Sequence, residues 1–122
     1  MAGMRAARSR SRRLLSALIC AALLSGCAGA PESLYRWGSY EEQVYAHLQG
    51  ESREAQIVAM ERDAEYLKTS GRIAPPGFYA HLGLLYAETG HDDKAIACFE
   101  TEKARFPEAA AFMDFLLGKY SR

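Results

Sequence analysis

The chain has 122 residues, and its 15 basic and 15 acidic side chains balance to a formal charge of zero. This length allows one small domain and excludes a multidomain enzyme. The balance hides an asymmetry, because residues 1–26 hold five arginines and no acid, which leaves 15 − 5 = 10 bases against 15 acids, a net charge of −5, in the rest. A mildly acidic body argues against a nucleic-acid-binding protein, whose affinity would come from clustered Lys and Arg.

The N-terminus predicts a lipoprotein signal peptide over residues 1–26. The basic start runs into an apolar stretch of eleven residues, 14–24, which as a helix would rise about 16 Å and is too short for a ~30 Å hydrocarbon core. A basic region followed by a short apolar region is typical of a secretory signal peptide. The sequence at its end, Leu24-Ser25-Gly26-Cys27, resembles the lipobox of exported bacterial lipoproteins. The alternative is an ordinary cleavable signal with a chance cysteine.

The lipobox resemblance implies that Cys27 becomes the acylated N-terminus of the mature protein, anchored in a lipid bilayer. The next residue is Ala28, not the aspartate that retains enterobacterial lipoproteins at the inner membrane. The resemblance therefore favours the outer membrane, with the protein facing the periplasm. Residues 11–15 also resemble in part a twin-arginine signal, so both this route and the default Sec route remain open. Cys20 would leave with the signal peptide, so Cys98 would have no internal disulfide partner.

Residues 27–38 are predicted to comprise the lipidated cysteine, a short tether and an aromatic segment, residues 34–38, which we call the aromatic entrance. From Cys27 to Leu34 the chain reaches at most about 25 Å, so the folded part must lie close to the membrane. The single tryptophan, Trp37, has three interpretations: a membrane-interface anchor, a hot spot for a partner, or a lid that packs on the first helices. The lid is preferred. The motif Leu34-Tyr35-x-Trp37-Gly38 resembles the start of the mature chain in a family of small bacterial lipoproteins of unknown function, which brings no established chemistry.

Apolar residues spaced by three and four predict an all-α domain over residues 39–122, with about five helices and no strand. Ser39 and Glu42 form a capping box that begins the first helix, and Gly50 ends it. A second helix is predicted over about 52–70. The predicted core residues are Tyr40, Val44, Tyr45 and Leu48 on the first helix and Ile57, Met60, Ala64 and Leu67 on the second.

The third helix is predicted over about 76–89, with Pro76 in its first turn. Asp92 or Asp93 is predicted to cap the fourth helix, and Pro107 to restart the chain into the fifth. The predicted core residues are Ala95, Ile96, Phe99 and Phe106 on the fourth helix and Phe112, Phe115, Leu116 and Tyr120 on the fifth.

Residues 76–109 resemble a tetratricopeptide repeat, an antiparallel helical hairpin of ~34 residues. The residues that carry this resemblance, and that it makes structural, are Tyr79, Leu82, Gly83, Tyr86, Ala95, Phe99 and Pro107. Glu102 departs from the pattern, which usually has a small residue there, and is expected to weaken packing against the fifth helix.

A single repeat cannot bury its own faces, which suggests that the first two helices are a degenerate copy. A shift by the repeat length places Tyr45 and Leu48 over Tyr79 and Leu82. The fifth helix would then close the stack.

The sequence predicts no active site, no metal site and no cofactor. His91 and the two aspartates after it are adjacent at a helix start and would not converge on one ion. His81 is expected on the helix surface or in a groove, and Cys98 as a half-buried, inert thiol. Phosphate-binding loops, nucleophile elbows and Cys-His pairs are missing from the sequence.

These features predict a non-enzymatic protein–protein interaction or assembly module of the cell envelope. Its partners would be the bilayer, through acylated Cys27, and another envelope protein, but not nucleic acid. Repeat folds offer a concave groove, and the candidate lining residues are Tyr79, His81, Tyr86 and Glu88. The alternatives are a pilot lipoprotein for a secretion or pilus pore and a small envelope enzyme.

Overall fold

The computed structural model describes residues 33–121 and, before them, Ile19 alone. The predicted signal peptide apart from Ile19, the lipidation site Cys27 and the tether up to Glu32 lie outside the described residues. Residues 33–121 belong to one compact unit. Its elements are α1 (Tyr40–Leu48), α2 (Arg53–Ser70), α3 (Phe78–Glu88), α4 (Asp92–Arg105), a 3₁₀ turn (Pro107–Ala109) and α5 (Ala110–Tyr120). The predicted all-α fold with about five helices is confirmed.

The core lies where α2, α3, α4 and α5 meet. Helix α2 buries the predicted residues Ile57, Met60 and Leu67, with Ala64 partly buried, so the predicted face of this helix is confirmed. Helix α5 adds Met113. The remaining core residues of α3 and α4 are Phe78, Leu82, Leu85, Tyr86, Ala95 and Phe99.

Helix α1 buries a different face from the one predicted. Tyr45 and Leu48 are exposed, whereas Gln43 and Ala46 are buried. The prediction was wrong because it followed apolar character alone. A nine-residue helix at the edge of the stack packs through one narrow face, and Ala46 permits close approach there.

The face of α5 also differs from the prediction. Phe112 and Phe115 are 60% and 67% exposed and stack on each other, with ring centroids 6.4 Å apart. Met113 is buried, while Leu116 and Tyr120 pack partly against the core. The positions of Leu116 and Tyr120 are thus as predicted. The buried stripe of α5, however, begins at Met113 and continues at spacings of three and four, so the two phenylalanines face outwards.

Three predicted helix starts are corrected. Ser39 precedes α1, but its side chain makes no bond to its own helix, so the capping box with Glu42 is absent. Helix α3 begins at Phe78, after Pro76. His91 occupies the N-cap position of α4, so Asp92 and Asp93 lie inside the first turn, where their charge suits the helix dipole instead of capping.

The starts of α1 and α3 are each bound by a carboxylate on the following helix. Asp63 of α2 accepts hydrogen bonds from the backbone N–H of Ser39 at 2.6 Å and from its hydroxyl at 2.7 Å. Glu102 of α4 accepts from the N–H groups of Gly77 at 2.5 Å and Tyr79 at 3.2 Å. Glu102 is only 2% exposed, so it turns towards α3, and the expectation that it loosens the packing on α5 is corrected.

These two carboxylates also relate the hairpins α1–α2 and α3–α4. They are 39 positions apart (63 to 102), and the same offset places Tyr40 over Tyr79. The burial of the residues does not support the shorter predicted register, because Tyr45 and Leu48 are exposed. Helix α2 has 18 residues and α4 has 14, which accounts for most of the longer spacing. Further buried pairs at this offset are Gln56 with Ala95, Met60 with Phe99, and Leu67 with Phe106.

Candidate functional site

A groove of about 580 Å³ runs between α2, α3 and α4, and we call it the tyrosine groove. Its apolar and aromatic lining consists of Ala64, Leu67, Ile73, Tyr79, Leu82, Tyr86 and Cys98. Its charged lining consists of Glu61, Glu65, Lys68, Arg72 and Arg105. The groove therefore combines an apolar floor with a rim of both charges.

Tyr86 is fixed in the wall of the tyrosine groove. Its hydroxyl donates a hydrogen bond to the carboxylate of Glu61, and the Lys94 ammonium lies 3.3 Å from the same carboxylate oxygen and 4.9 Å from the centre of the Tyr86 ring. Burial, and then the bond to Glu61, raise the pKa of Tyr86. The bond from Tyr86 is the main cause that lowers the pKa of Glu61. Tyr86, only 6% exposed, is therefore a wall residue of the groove whose hydroxyl is already bonded to Glu61.

Tyr79 lies at the other end of the α3 wall and is half-buried. The guanidinium of Arg105 lies 5.1 Å from the centre of its ring, close enough for a cation–π contact. The neighbouring ring of Phe78 meets it edge-on at 5.2 Å. This arrangement leaves an aromatic ring and a cation together at the rim.

The other two predicted partner-binding residues lie elsewhere. The ring of His81 meets that of His47 edge-on at 5.3 Å, between α3 and α1, so His81 is neither a free surface residue nor part of the groove. Glu88 accepts a 2.8 Å hydrogen bond from Arg53 and lies 3.9 Å from His47. The four predicted residues therefore divide into two pairs, and only Tyr79 and Tyr86 share a surface.

The histidine pair is packed without full hydrogen bonding. Among the described residues, no partner bonds the buried Nδ1 of His47 or the buried Nε2 of His81. Burial, and secondly the nearby His47, lower the pKa of His81, against smaller opposing effects of the Gln43 backbone and Glu88. A neutral His81 therefore suits this interface.

The residues predicted to be structural lie mostly in the α3–α4 interface. Gly83 faces α4 so closely that a Cβ atom there would lie 2.6 Å from Cε1 of Phe99. Leu82, Ala95 and Phe99 are buried. Pro107 begins the 3₁₀ turn before α5. The sequence thus identified a close helix contact from its small residues.

Trp37 packs on α1, as the lid interpretation predicts, but it is not fully buried. Its ring stacks on Tyr40, with centroids 6.2 Å apart and an interplanar angle of 22°, but the residue is 40% exposed. Gly38 has a φ of +54°, which turns the chain into α1. One face of the indole packs on α1, and the other remains open.

The sequence reasoning missed how the aromatic entrance attaches to the fold. Tyr35 forms a backbone bridge with Ile73, and its ring meets Phe106 edge-on at 6.2 Å. The guanidinium of Arg36 lies 5.3 Å from the centre of the Tyr66 ring. No periodic signal marks such contacts, although the dense aromatic motif itself indicated that the segment packs.

The remaining candidate chemistry is sparse. Burial raises the pKa of the half-buried Cys98 thiol to about 11. Within the described part of the chain, no group of three or more His, Cys, Asp or Glu side chains could hold a metal ion. Among residues 33–121, no helix has the length and apolar character required to cross a membrane.

Comparisons with curated proteins and with solved structures found no match. A comparison with protein families matches residues 34–116 to a family described as Domain of unknown function (DUF4810). The match begins at Leu34, the first residue of the aromatic entrance, and ends within α5. Since it covers more than half of the chain, the protein belongs to the DUF4810 family.

Proposed function

We propose that the protein is a lipid-anchored, periplasm-facing module of the outer membrane that binds another envelope protein and has no enzymatic activity of its own. The observation that carries the proposal is the tyrosine groove, which joins an apolar floor to aromatic and charged rim groups. The lipid anchor rests on the lipobox that ends at Cys27.

The composition of the groove favours a protein ligand. Its lining mixes apolar, aromatic and charged side chains. Tyrosine and arginine are enriched among the residues that dominate binding energy at protein interfaces, and Tyr79 and Arg105 occur together here. The acids and bases on the rim would select a segment with complementary charges.

The tetratricopeptide-like repeat is part of the same proposal. The two hairpins share buried positions and a carboxylate at the start of the first helix when they are offset by 39 residues (63 to 102). Stacked hairpins of this kind create concave surfaces that bind extended segments. The groove lies between α2 of the first hairpin and both helices of the second.

Groove binding is tested with a photo-crosslinking residue placed at Lys68, on the rim, in cells that produce the full chain. We expect a specific crosslinked envelope protein, which Tyr79→Ala and Arg105→Glu reduce. Tyr45→Ala is the matched control, because Tyr45 is an exposed tyrosine on α1. Equal crosslinking in all variants would exclude the groove as the binding site.

The lipid anchor is tested separately. Cys27→Ser removes the sulfur that would carry diacylglycerol, so we expect loss of labelled palmitate and loss of outer-membrane fractionation. Cys98→Ser, which changes the half-buried thiol, should retain both. A Cys27→Ser chain that is still labelled and still found in the outer membrane would refute the anchor.

A further inference from the structure

Beside the point where the tether enters the fold, three apolar side chains are exposed: Leu34 is 68% exposed, Ile73 42% and Trp37 40%. The backbone holds two segments together here, since Tyr35 bridges Ile73 and the Arg36 N–H donates to the Ile73 carbonyl at 2.8 Å. We call the surface formed by Leu34, Arg36, Trp37, Arg72 and Ile73 the entrance face.

The entrance face carries basic side chains next to its apolar ones. Arg36 and Arg72 line one shallow depression together with Trp37, and Glu42 and Asp63 lie in the same depression. The carboxylate of Asp63 is bound by Ser39.

Tryptophan and arginine beside exposed aliphatic groups are the residue types found at membrane–water interfaces, where amphipathic rings lie among headgroups and long cations reach phosphates.

The chain length brings this face to the bilayer. Five residues lie between Cys27 and Ser33, so the six steps from one to the other extend over at most about 21 Å. If Cys27 is acylated, as proposed above, the tether keeps Leu34 close to the membrane surface. The exposed phenylalanines Phe112 and Phe115 are on the last helix, at the other end of the sequence from this tether.

We propose that the entrance face lies on the phospholipid bilayer, with the open side of Trp37 among the headgroups, so that the lipid anchor and this face together fix the orientation of the helical domain. The proposal rests on the lipidation of Cys27. In this orientation the two faces of the Trp37 ring have different contacts. Tyr40 covers the inner face, and lipid would cover the outer face. Two membrane contacts hold more firmly than one, and the second also prevents free rotation on the tether.

The test uses the mature lipidated chain in vesicles of phosphatidylethanolamine with a minor share of phosphatidylglycerol, with or without bromine on the acyl chains. Trp37 is the single tryptophan, so its emission reports on one position. We expect brominated lipid to quench it. The matched control carries Trp37→Phe with Leu48→Trp, which moves the indole to an exposed position at the other end of α1, about 13 Å away along the helix. We expect no quenching there.

A second comparison changes the face and keeps the probe. Leu34→Glu with Ile73→Glu should abolish the quenching of Trp37 while the chain still floats with the vesicles, and Phe115→Glu on α5 should leave the quenching intact. A floating chain whose Trp37 is not quenched, or equal quenching of the control chain that carries Leu48→Trp, overturns the proposed orientation but leaves the anchor standing. A chain that does not float refutes the anchor, and the proposed orientation with it.

Discussion

Glu102 and Gly77 are joined by a hydrogen bond of 2.5 Å that ties the last part of α4 to the first residue before α3. The second carboxylate oxygen of Glu102 accepts from the N–H of Tyr79 at 3.2 Å. The first turn of a helix has N–H groups with no partner inside the helix. Gly77 has a φ of +91° and no side chain that could cap this end of α3. The carboxylate supplied by α4 instead accepts from two N–H groups there, and its negative charge lies at the positive end of the α3 dipole, which offsets part of the cost of burying it.

Removal of this acid should destabilise the fold strongly. Glu102→Ala leaves two N–H groups at the start of α3 without a partner, and we expect the free energy of unfolding to fall by about 2–3 kcal/mol. Glu102→Gln loses the charge but keeps one acceptor oxygen, so we expect the free energy of unfolding to fall less in this variant. Urea unfolding of the chain from Ser33 measures both. Glu100→Ala, an exposed acid two residues away, is the control and should change the stability little; equal losses at both positions would contradict the capping role.

The contact between α3 and α4 at Gly83 should be intolerant of a side chain. In Gly83→Ala the new Cβ would lie 2.6 Å from Cε1 and 2.8 Å from Cδ1 of Phe99, and such overpacking costs about 1–3 kcal/mol. Gly118→Ala is the matched control, since nothing lies within 4 Å of a Cβ there and alanine in a helix is favoured over glycine by about 0.5–1 kcal/mol. Thermal unfolding should therefore show shifts of opposite sign, and a Gly83→Ala chain as stable as the parent would refute the close contact.

Much of the fold could be predicted because the spacing of apolar residues indicates where helices form. The apolar stripe on α2 runs from Ile57 to Leu67 within an 18-residue helix, so its period is easy to recognise. The small Gly83 marked a close contact between α3 and α4. The buried face of α1 was harder to predict. In a helix of only nine residues, Tyr45 and Leu48 form an apolar face that looks as plausible as any other. Their exposure depends on where α2 and α3 lie, which a local pattern cannot encode.

The candidate site was only half predictable for a related reason. Tyr79 and Tyr86 are seven residues apart and therefore share a face of α3, so the groove could be expected to contain both. His81 and Glu88 share a different face of α3. That His81 packs on His47 depends on the position of α1, which the local pattern does not contain. The carboxylates Asp63 and Glu102 were missed as caps because each binds a helix start more than 20 residues away.

Cys98 should react slowly with alkylating reagents in the folded chain. Burial raises the pKa of its thiol from 9.0 to about 11, which at a pH below both values lowers the reactive thiolate fraction about 100-fold. Iodoacetamide labelling of the chain from Ser33, where Cys98 is the single cysteine, measures the rate with and without denaturant. Cys98→Ala with Ala97→Cys moves the thiol to an exposed neighbouring position on α4 and should label rapidly; equal rates for the two folded chains would contradict the burial.

Acid should weaken the fold through His81 before any carboxyl group titrates. Burial, and then the adjacent His47, lower the pKa of His81 in the folded state, while the unfolded chain takes up the same proton near the ordinary histidine pKa of about 6.5. Below that pH the unfolded state binds more protons than the folded state, so the free energy of unfolding falls as the pH falls and levels off once the folded His81 is protonated too. Urea unfolding at several pH values between about 7.5 and 5.5 measures this slope. His81→Gln should flatten it, whereas His91→Gln, at an exposed position before α4, should preserve it. The same slope in both variants would show that His81 is not the group responsible.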